Sequence, residues 1–320
     1  MKTIQLPGIP FEVSQICLGC AYLGSREDDE TSYAILDTYY EAGGRFLNTA
    51  HEYGHGLSER IIGRWLRDRG LRDQFLVTSK CGEDHAKPRS RAMHPDELRE
   101  DIDETLSRTG FDYVDFYLLH LDDPAVPVTD VVGTMEEIRR QGKIRYYGCS
   151  NWSVERMTEA AGYAAANDCR GFVMNEIEMN LTHRNTDNRE SIPKWLDDEY
   201  IAYHRKTGMP VAAYSPIANA VLTKYLRDGD TRAWTQYQVI GYENDYNFGI
   251  ARRLDKLSRE TGFSTTGLQL AFVLAQPYGF ACFPILGART VEQLKDSLMA
   301  LSCPMTRDMI DYLTPKEACV

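Results

Sequence analysis

The sequence predicts an α/β protein folded as a (β/α)8, or TIM, barrel, with an N-terminal β-hairpin closing the barrel floor. Three observations carry this. Strand-like and helix-like runs alternate from residue 14 onward. The strand-like runs number eight, which is the number that closes a barrel. Several of them are apolar nearly throughout, as parallel strands covered on both faces must be. An open doubly wound sheet would carry a Gly-rich dinucleotide fingerprint after a strand, and none follows any of the eight.

In chain order, residues 1–13 place Pro7-Gly8 between two short extended runs, which reads as a hairpin. Strands are expected at 16–19, 45–49, 75–79, 114–120, 144–150, 172–177, 210–214 and 281–286. Helices are expected at 31–42, 58–68, 96–109, 129–141, 153–166, 247–261 and 291–301, where apolar residues recur three and four apart. Leu98, Ile102 and Leu106 show the spacing most clearly. Gly43-Gly44, Gly110 and Gly142 follow helices, where a left-handed cap belongs. Residues 217–246, rich in Tyr, Asp and Asn, form the longest irregular stretch. It follows the seventh strand on the active face of a barrel, so it reads as a covering loop and not a boundary. The whole chain, 1–320, is therefore expected to form one domain.

Composition narrows the function. A hydrophobic content of 43% across 320 residues is ample for a large core. A net charge of −11 argues against a nucleic-acid or anionic-membrane surface, while leaving room for a local basic pocket. No apolar stretch approaches the roughly 18 residues of a membrane span, and no secretory signal is expected. Eight cysteines without a framework spacing fit a reducing cytoplasm. Cys17 and Cys20 form a C-x-x-C at a strand end, which reads as strand packing. His51 and His55 flank a loop with Gly54 and Gly56, not a helix, so no metal site is expected.

Tyr53, Lys80 and His120 each stand at or just past the end of a strand-like run. In a parallel barrel those ends meet at one mouth. A phenol has a pKa of about 10, and a nearby ammonium lowers it. A neutral imidazole can orient a carbonyl oxygen. Together the three suit proton transfer to or from an alkoxide as a hydride reaches or leaves carbon.

The segments that hold these residues resemble the aldo-keto reductase superfamily across nearly the whole chain. They are Gly43-Gly44-Arg45-Phe46-Leu47-Asn48-Thr49-Ala50-His51-Glu52-Tyr53-Gly54, Thr78-Ser79-Lys80, and Leu106-Ser107-Arg108-Thr109-Gly110 through Asp112-Tyr113-Val114-Asp115 to Leu118-Leu119-His120. Gly148-Cys149-Ser150-Asn151, Tyr214-Ser215-Pro216 and Pro284-Ile285-Leu286-Gly287-Ala288-Arg289 follow in the family's order. The resemblance implies a nicotinamide-dependent barrel enzyme with Tyr53 as general acid/base, Lys80 as its electrostatic partner and His120 as carbonyl-orienting donor. It implies Tyr214 stacked on nicotinamide, with Ser150, Asn151 and Glu176 near its carboxamide. Ser215, Pro216 and Gly287 would lie along the pyrophosphate, Arg289 beside a 2′-phosphate, and Gln293 and Ser297 near adenine. Arg289 favours NADP(H) over NAD(H).

Two residues depart from the family pattern. Asn48 stands where an aspartate paired with the lysine is usual, and Glu176 stands where glutamine is common. An ammonium without that aspartate would ease phenolate formation at Tyr53, and a carboxylate at Glu176 would favour the oxidised, cationic nicotinamide. If Lys80 keeps its proton and Glu176 is ionised toward the ring, both push toward oxidation of a hydroxyl. If Lys80 loses its proton, or Glu176 is protonated, paired or turned away, that push is lost. His51, Glu52, His55 and Trp152, expected beside the mouth, and Tyr22, after the first strand, suit a sugar-like or polyol substrate, with Tyr22, His51 and Trp152 as the candidate substrate contacts. The alternatives are a redox-neutral sugar epimerase or isomerase with retained cofactor, and a cofactor-binding regulatory subunit with little turnover. The partner expected is a small molecule, and the sequence leaves the oligomeric state open.

Overall fold

A computed structural model describes residues 1–83, 92–185 and 194–315. Two short strands, β1 (Thr3–Gln5) and β2 (Glu12–Ser14), pair antiparallel, with Thr3 opposite Ser14. Eight further strands follow: β3 (Cys17–Gly19), β4 (Phe46–Asn48), β5 (Leu76–Cys81), β6 (Val114–Leu119), β7 (Ile144–Ser150), β8 (Asn175–Glu178), β9 (Val211–Tyr214) and β10 (Cys282–Gly287). They form a closed barrel in the order β10-β3-β4-β5-β6-β7-β8-β9, every neighbouring pair parallel. The expected fold class is the observed one.

Helices fill the crossovers: α1 (Asp29–Glu41), α2 (Leu57–Arg69), α3 (Pro95–Thr109), α4 (Val128–Arg140), α5 (Val154–Ala166), α6 (Asp198–Thr207), α7 (Val221–Asp228), α8 (Gln236–Tyr242), α9 (Asp245–Thr261), α10 (Thr265–Leu274), α11 (Val291–Leu298) and α12 (Arg307–Leu313). Their ends follow local chemistry. Helix α3 starts with Pro95, whose absent N–H costs nothing in the first turn, and stops at Gly110 with φ 71°. The stretch 217–246, expected to be irregular, contains α7 and α8. They are 8 and 7 residues long; α8 is too short to repeat a face, whereas α7 sets Val221, Leu222, Tyr225 and Leu226 on one side. Helix α10 was not foreseen either. Residues 267–273 are buried in succession, so no polar face reveals its period.

The barrel interior is layered by strand parity, because residues two apart on a strand face the same side. Phe46, Phe116, Leu118, Met174, Ala212 and Phe283 pack inside with Leu6, Ile9 and Val13. Leu6, Ile9 and Val13 lie in or between the hairpin strands, so the hairpin caps the apolar floor. One step further along three strands stand Asn48, Glu176 and Tyr214. The apolar layer thus dictates which side chains point inward at the mouth. Gly148 on β7 permits this closeness, since a Cβ there would lie 2.8 Å from a Leu118 methyl. Among the described residues no helix is long and apolar enough to cross a membrane.

Candidate active site

The ladder between β4 and β5 continues past β4, with the Thr49 N–H donating to Thr78 O at 2.8 Å and the His51 N–H to Lys80 O at 3.0 Å. These bonds fix the turn that carries Tyr53. Lys80 is wholly buried. Its ammonium donates to Asn48 Oδ1 at 2.7 Å, Thr49 O at 3.0 Å and the Tyr53 hydroxyl at 3.1 Å. Glu176 Oε1 lies 3.3 Å from the same nitrogen. The other Glu176 oxygen accepts from Asn48 Nδ2 at 2.8 Å. The Asn48 amide is therefore polarised across the site, oxygen to cation and nitrogen to anion.

The lysine that the sequence left without its aspartate thus has a carboxylate after all, reaching it from β8. This corrects the expectation of an uncompensated Lys80 field. Burial alone would lower the Lys80 pKa, but Glu176 and Tyr53 outweigh it and hold the ammonium above its ordinary value. For Tyr53, burial pushes the phenol pKa up, Lys80 pulls it down and Glu176 pushes it up again, with a net rise. Tyr53 is thus a protonated phenol at neutral pH.

His120 meets the Tyr53 ring edge to face, with centroids 5.7 Å apart. Its Nδ1 lies 2.9 Å from Glu83 Oε2. A proton on Nδ1 directed at that carboxylate leaves Nε2 as the other functional atom of the ring. A cavity of ≈ 510 Å³ opens over these groups, lined by Ala21, Tyr22, Ser25, Arg26, Glu52, Tyr53, Gly54, Glu83 and His120. Tyr22 is at the mouth as expected, with the Arg26 guanidinium 4.6 Å from its ring centre.

His51 and Trp152 stand elsewhere. His51 is 2% exposed, and its Nε2 lies 2.9 Å from Glu104 Oε2 on α3, away from the cavity. Trp152 is fully buried, donates to Leu121 O at 2.9 Å and packs edge-on against Phe172. Its neighbour Asn151 has φ 60°, a left-handed turn at the end of β7 after which the chain leads the indole into the core. Glu52, expected beside the mouth, lines the cavity, whereas the sequence missed Arg26 and Glu83. Glu83 follows Lys80 by three residues at the same strand end, and that adjacency was the available signal.

The residues expected to hold a cofactor form two groups. The Tyr214 hydroxyl donates to Asn151 Oδ1 at 2.8 Å, and Asn151 Nδ2 donates to Ser150 Oγ at 3.0 Å. Ser215 takes φ 48°, and Pro216 is buried behind it. At the rim, the Arg289 N–H donates to Gln293 Oε1 at 2.9 Å, while its guanidinium donates to Glu27 Oε1 at 2.6 Å. Gly287 is exposed, with nothing within 4 Å of the position of a Cβ. Ser297 is 3% exposed, which leaves it inside α11's packing and off the rim. Bare backbone at Gly287, a guanidinium and the start of α11 are a donor set suited to a phosphate-bearing dinucleotide. The Glu176 carboxylate faces Lys80 and Asn48, while its backbone carbonyl accepts from the Asn151 N–H at 3.3 Å. Cys17 and Cys20 are buried, and burial pushes both thiols up, Cys20 to about 12, so both remain thiols.

A closed parallel barrel with a buried lysine–tyrosine pair and a histidine at its mouth defines a proton-transferring barrel oxidoreductase. The model of the aldo/keto reductase family matches residues 15–318. The chain is 27% identical to an aryl-alcohol dehydrogenase [NADP(+)] of Phanerodontia chrysosporium, over 96% of this chain and 83% of that protein. It is 28% identical to the uncharacterized oxidoreductase YrpG of Bacillus subtilis, over 94% and 91%. A crystal structure of the thermostable aldo-keto reductase Tm1743 with the inhibitor epalrestat superposes with a TM-score of 0.75, at 24% identity, covering 98% of each chain. The chain belongs to the aldo/keto reductase family and is an NAD(P)(H)-dependent oxidoreductase.

Proposed function

We propose that the protein interconverts a carbonyl and an alcohol on a compact, hydroxylated substrate, sugar-like or a polyol, with NADP(H) preferred over NAD(H). The observation that carries the substrate class is the cavity lining. Ser25, Arg26, Glu52 and Glu83 stand around Tyr53 and His120, so several hydrogen-bonding groups are set into a lining that is more apolar than polar, with the Tyr22 ring as a platform. The exposed Arg289 guanidinium at the rim supports the 2′-phosphate preference. The proposal keeps the cytoplasmic location expected from the sequence.

When bound, the nicotinamide supplies or accepts the hydride. The chain's own residues manage the proton. Tyr53 gives its phenolic proton to the substrate oxygen as negative charge develops, and His120, packed edge-on against the Tyr53 ring, walls that position. Lys80 stabilises the phenolate left behind. Because Tyr53 is held as phenol, reduction is the direction favoured near neutral pH, and oxidation gains as pH rises toward the phenol's pKa. The oxidative bias expected from Asn48 has no support in this geometry, since Glu176 restores a carboxylate beside Lys80.

Initial rates of NADPH consumption with hydroxylated aldehydes and ketones, set against aryl aldehydes of similar size, test the reading. Hydroxylated substrates are expected to give the higher kcat/KM. Turnover confined to aryl aldehydes would overturn the substrate class, and equal kcat/KM with NADH the cofactor preference.

A further inference from the structure

We infer that Glu176 is the positioning residue that supplies Lys80 with its counter-charge, and that Asn48 and Glu176 work as one unit in which carboxylate and amide have exchanged strands. The inference rests on the reading that Tyr53 and Lys80 carry out the proton transfer. Of the four oxygens the Lys80 ammonium meets, Asn48 Oδ1, Thr49 O and Tyr53 OH are neutral, and Glu176 Oε1 alone among these four is charged. Lys80 is 0% and Glu176 3% exposed, so water does not substitute for the pairing. A buried ammonium stripped of its counter-charge sheds its proton instead of staying charged.

Asn48 explains why the charge stands on β8 and not on β4. Its nitrogen lies 2.8 Å from a Glu176 oxygen while its oxygen lies 2.7 Å from Lys80. An aspartate at 48 would replace the N–H that Glu176 Oε2 now accepts with a second carboxylate oxygen 2.8 Å away, leaving two carboxylates on one ammonium, which is unfavourable. Asn48 is neutral because Glu176 is charged. One physical cause then accounts for both departures from the family pattern, and it removes Glu176 from the cofactor carboxamide.

The groups that face this unit are few. Tyr53 is faced by Lys80, Glu176, Glu83 and His120, and Lys80 by Glu176 and Tyr53, with the Cys17 and Cys20 thiols beneath. Glu176 pushes the Tyr53 phenol up. Removing its charge lets the Lys80 ammonium lose its proton at lower pH and, until it does, lets Tyr53 ionise at lower pH; both move the basic limb of the reduction profile down.

The test is a charge-exchange cycle with Glu176→Gln, Asn48→Asp and the double variant Asn48→Asp/Glu176→Gln. Each protein is measured without cofactor for its unfolding midpoint and with NADPH for kcat against pH. Each single change is expected to lower the midpoint and to reduce kcat by about tenfold or more, with the basic limb of E176Q about one pH unit lower. The double variant is expected to recover the midpoint, the limb and kcat to within about threefold, because one carboxylate again faces one ammonium. Additive losses, with the double variant worse than either single, would overturn the inference. If E176Q does not fold, N48D against the double variant still decides, since the double must be the more stable and the more active. If the unaltered protein turns over no carbonyl or alcohol, the proposed function fails, while the cofactor-free unfolding cycle still decides the role of Glu176.

Discussion

The two sides of the barrel mouth are built differently. Across the interior, between β4 and β5 and the facing β8, Asn48, Lys80, Tyr53 and Glu176 are interlocked, with Lys80 and Glu176 at 0% and 3% exposure. On the side of β9 and β10, Arg289 is 58% exposed and tied to Glu27, and the backbone takes left-handed turns at Ser215 and at residues 218–220. The first side is set before any ligand arrives. The second holds its groups where a large anionic ligand can take them over, since an exposed ion pair is worth little and is readily exchanged. Under the proposed function the difference separates two tasks: the exposed side would grip the cofactor, and the buried side would do chemistry with groups that need no rearrangement.

The contrast can be broken most directly by substituting one residue from each side. Tyr53→Phe keeps the ring and deletes the proton, and is expected to lower kcat by about 10³-fold. Arg289→Ala is expected to leave kcat nearly unchanged and to raise the KM for NADPH by about tenfold or more, with a smaller effect on NADH. Steady-state rates with each nucleotide separate the two outcomes. A kcat loss in R289A as large as that in Y53F would dissolve the distinction.

The sequence carried the barrel well and the site unevenly, and the reasons are physical. Strands such as 114–119 were legible because burial on both faces leaves an apolar run broken only by Asp115. Helix α10 was hidden by the same kind of burial, and α8 by its brevity. Tyr53, Lys80 and His120 were legible because each ends a strand-like run. His51 was misplaced because the chain turns after β4, and strand parity no longer says which way a side chain faces. The partnership of Glu176 with Lys80 could not be read at all. It spans the barrel interior between β5 and β8, which are not neighbours, and only closure of the sheet brings them within 3.3 Å.

Behind β8, a second group keeps the buried side fixed. His204 on α6 is fully buried, with Nδ1 at 2.8 Å from Met209 O and Nε2 at 3.1 Å from Asn175 Nδ2, on the residue preceding Glu176. The Asn175 amide donates to Nε2, so the neutral ring carries its proton on Nδ1 and donates it to Met209 O. Burial lowers the imidazole pKa to about 4, outweighing the Met209 carbonyl, which raises it. A depressed folded-state value means the unfolded chain takes up the proton first. The stability it represents is present above pH 6.5 and lost as pH falls through 4, about 3 kcal/mol in all. Denaturant unfolding between pH 7 and 4 should show this fall, and His204→Phe should flatten it. An unchanged pH slope in the variant would assign the loss to other groups.

The smallest expected effect sharpens the cofactor side. Ala218, Asn219 and Ala220 have φ of 48°, 53° and 61°, three successive left-handed residues immediately before α7. A Cβ in that region costs on the order of 1 kcal/mol per residue, which asparagine partly recovers through local hydrogen bonding. Ala220 has no such compensation, and its side chain is a single methyl. Ala220→Gly removes the clash but also frees the unfolded chain, so the net gain should be about 0.5–1 kcal/mol. Thermal unfolding of the cofactor-free protein measures it. If this turn is held in its left-handed form to receive the cofactor, the variant should be more stable and bind NADPH more weakly, because glycine lets the turn leave that form. A gain in stability with unchanged NADPH affinity would make the turn a matter of packing against α7 alone.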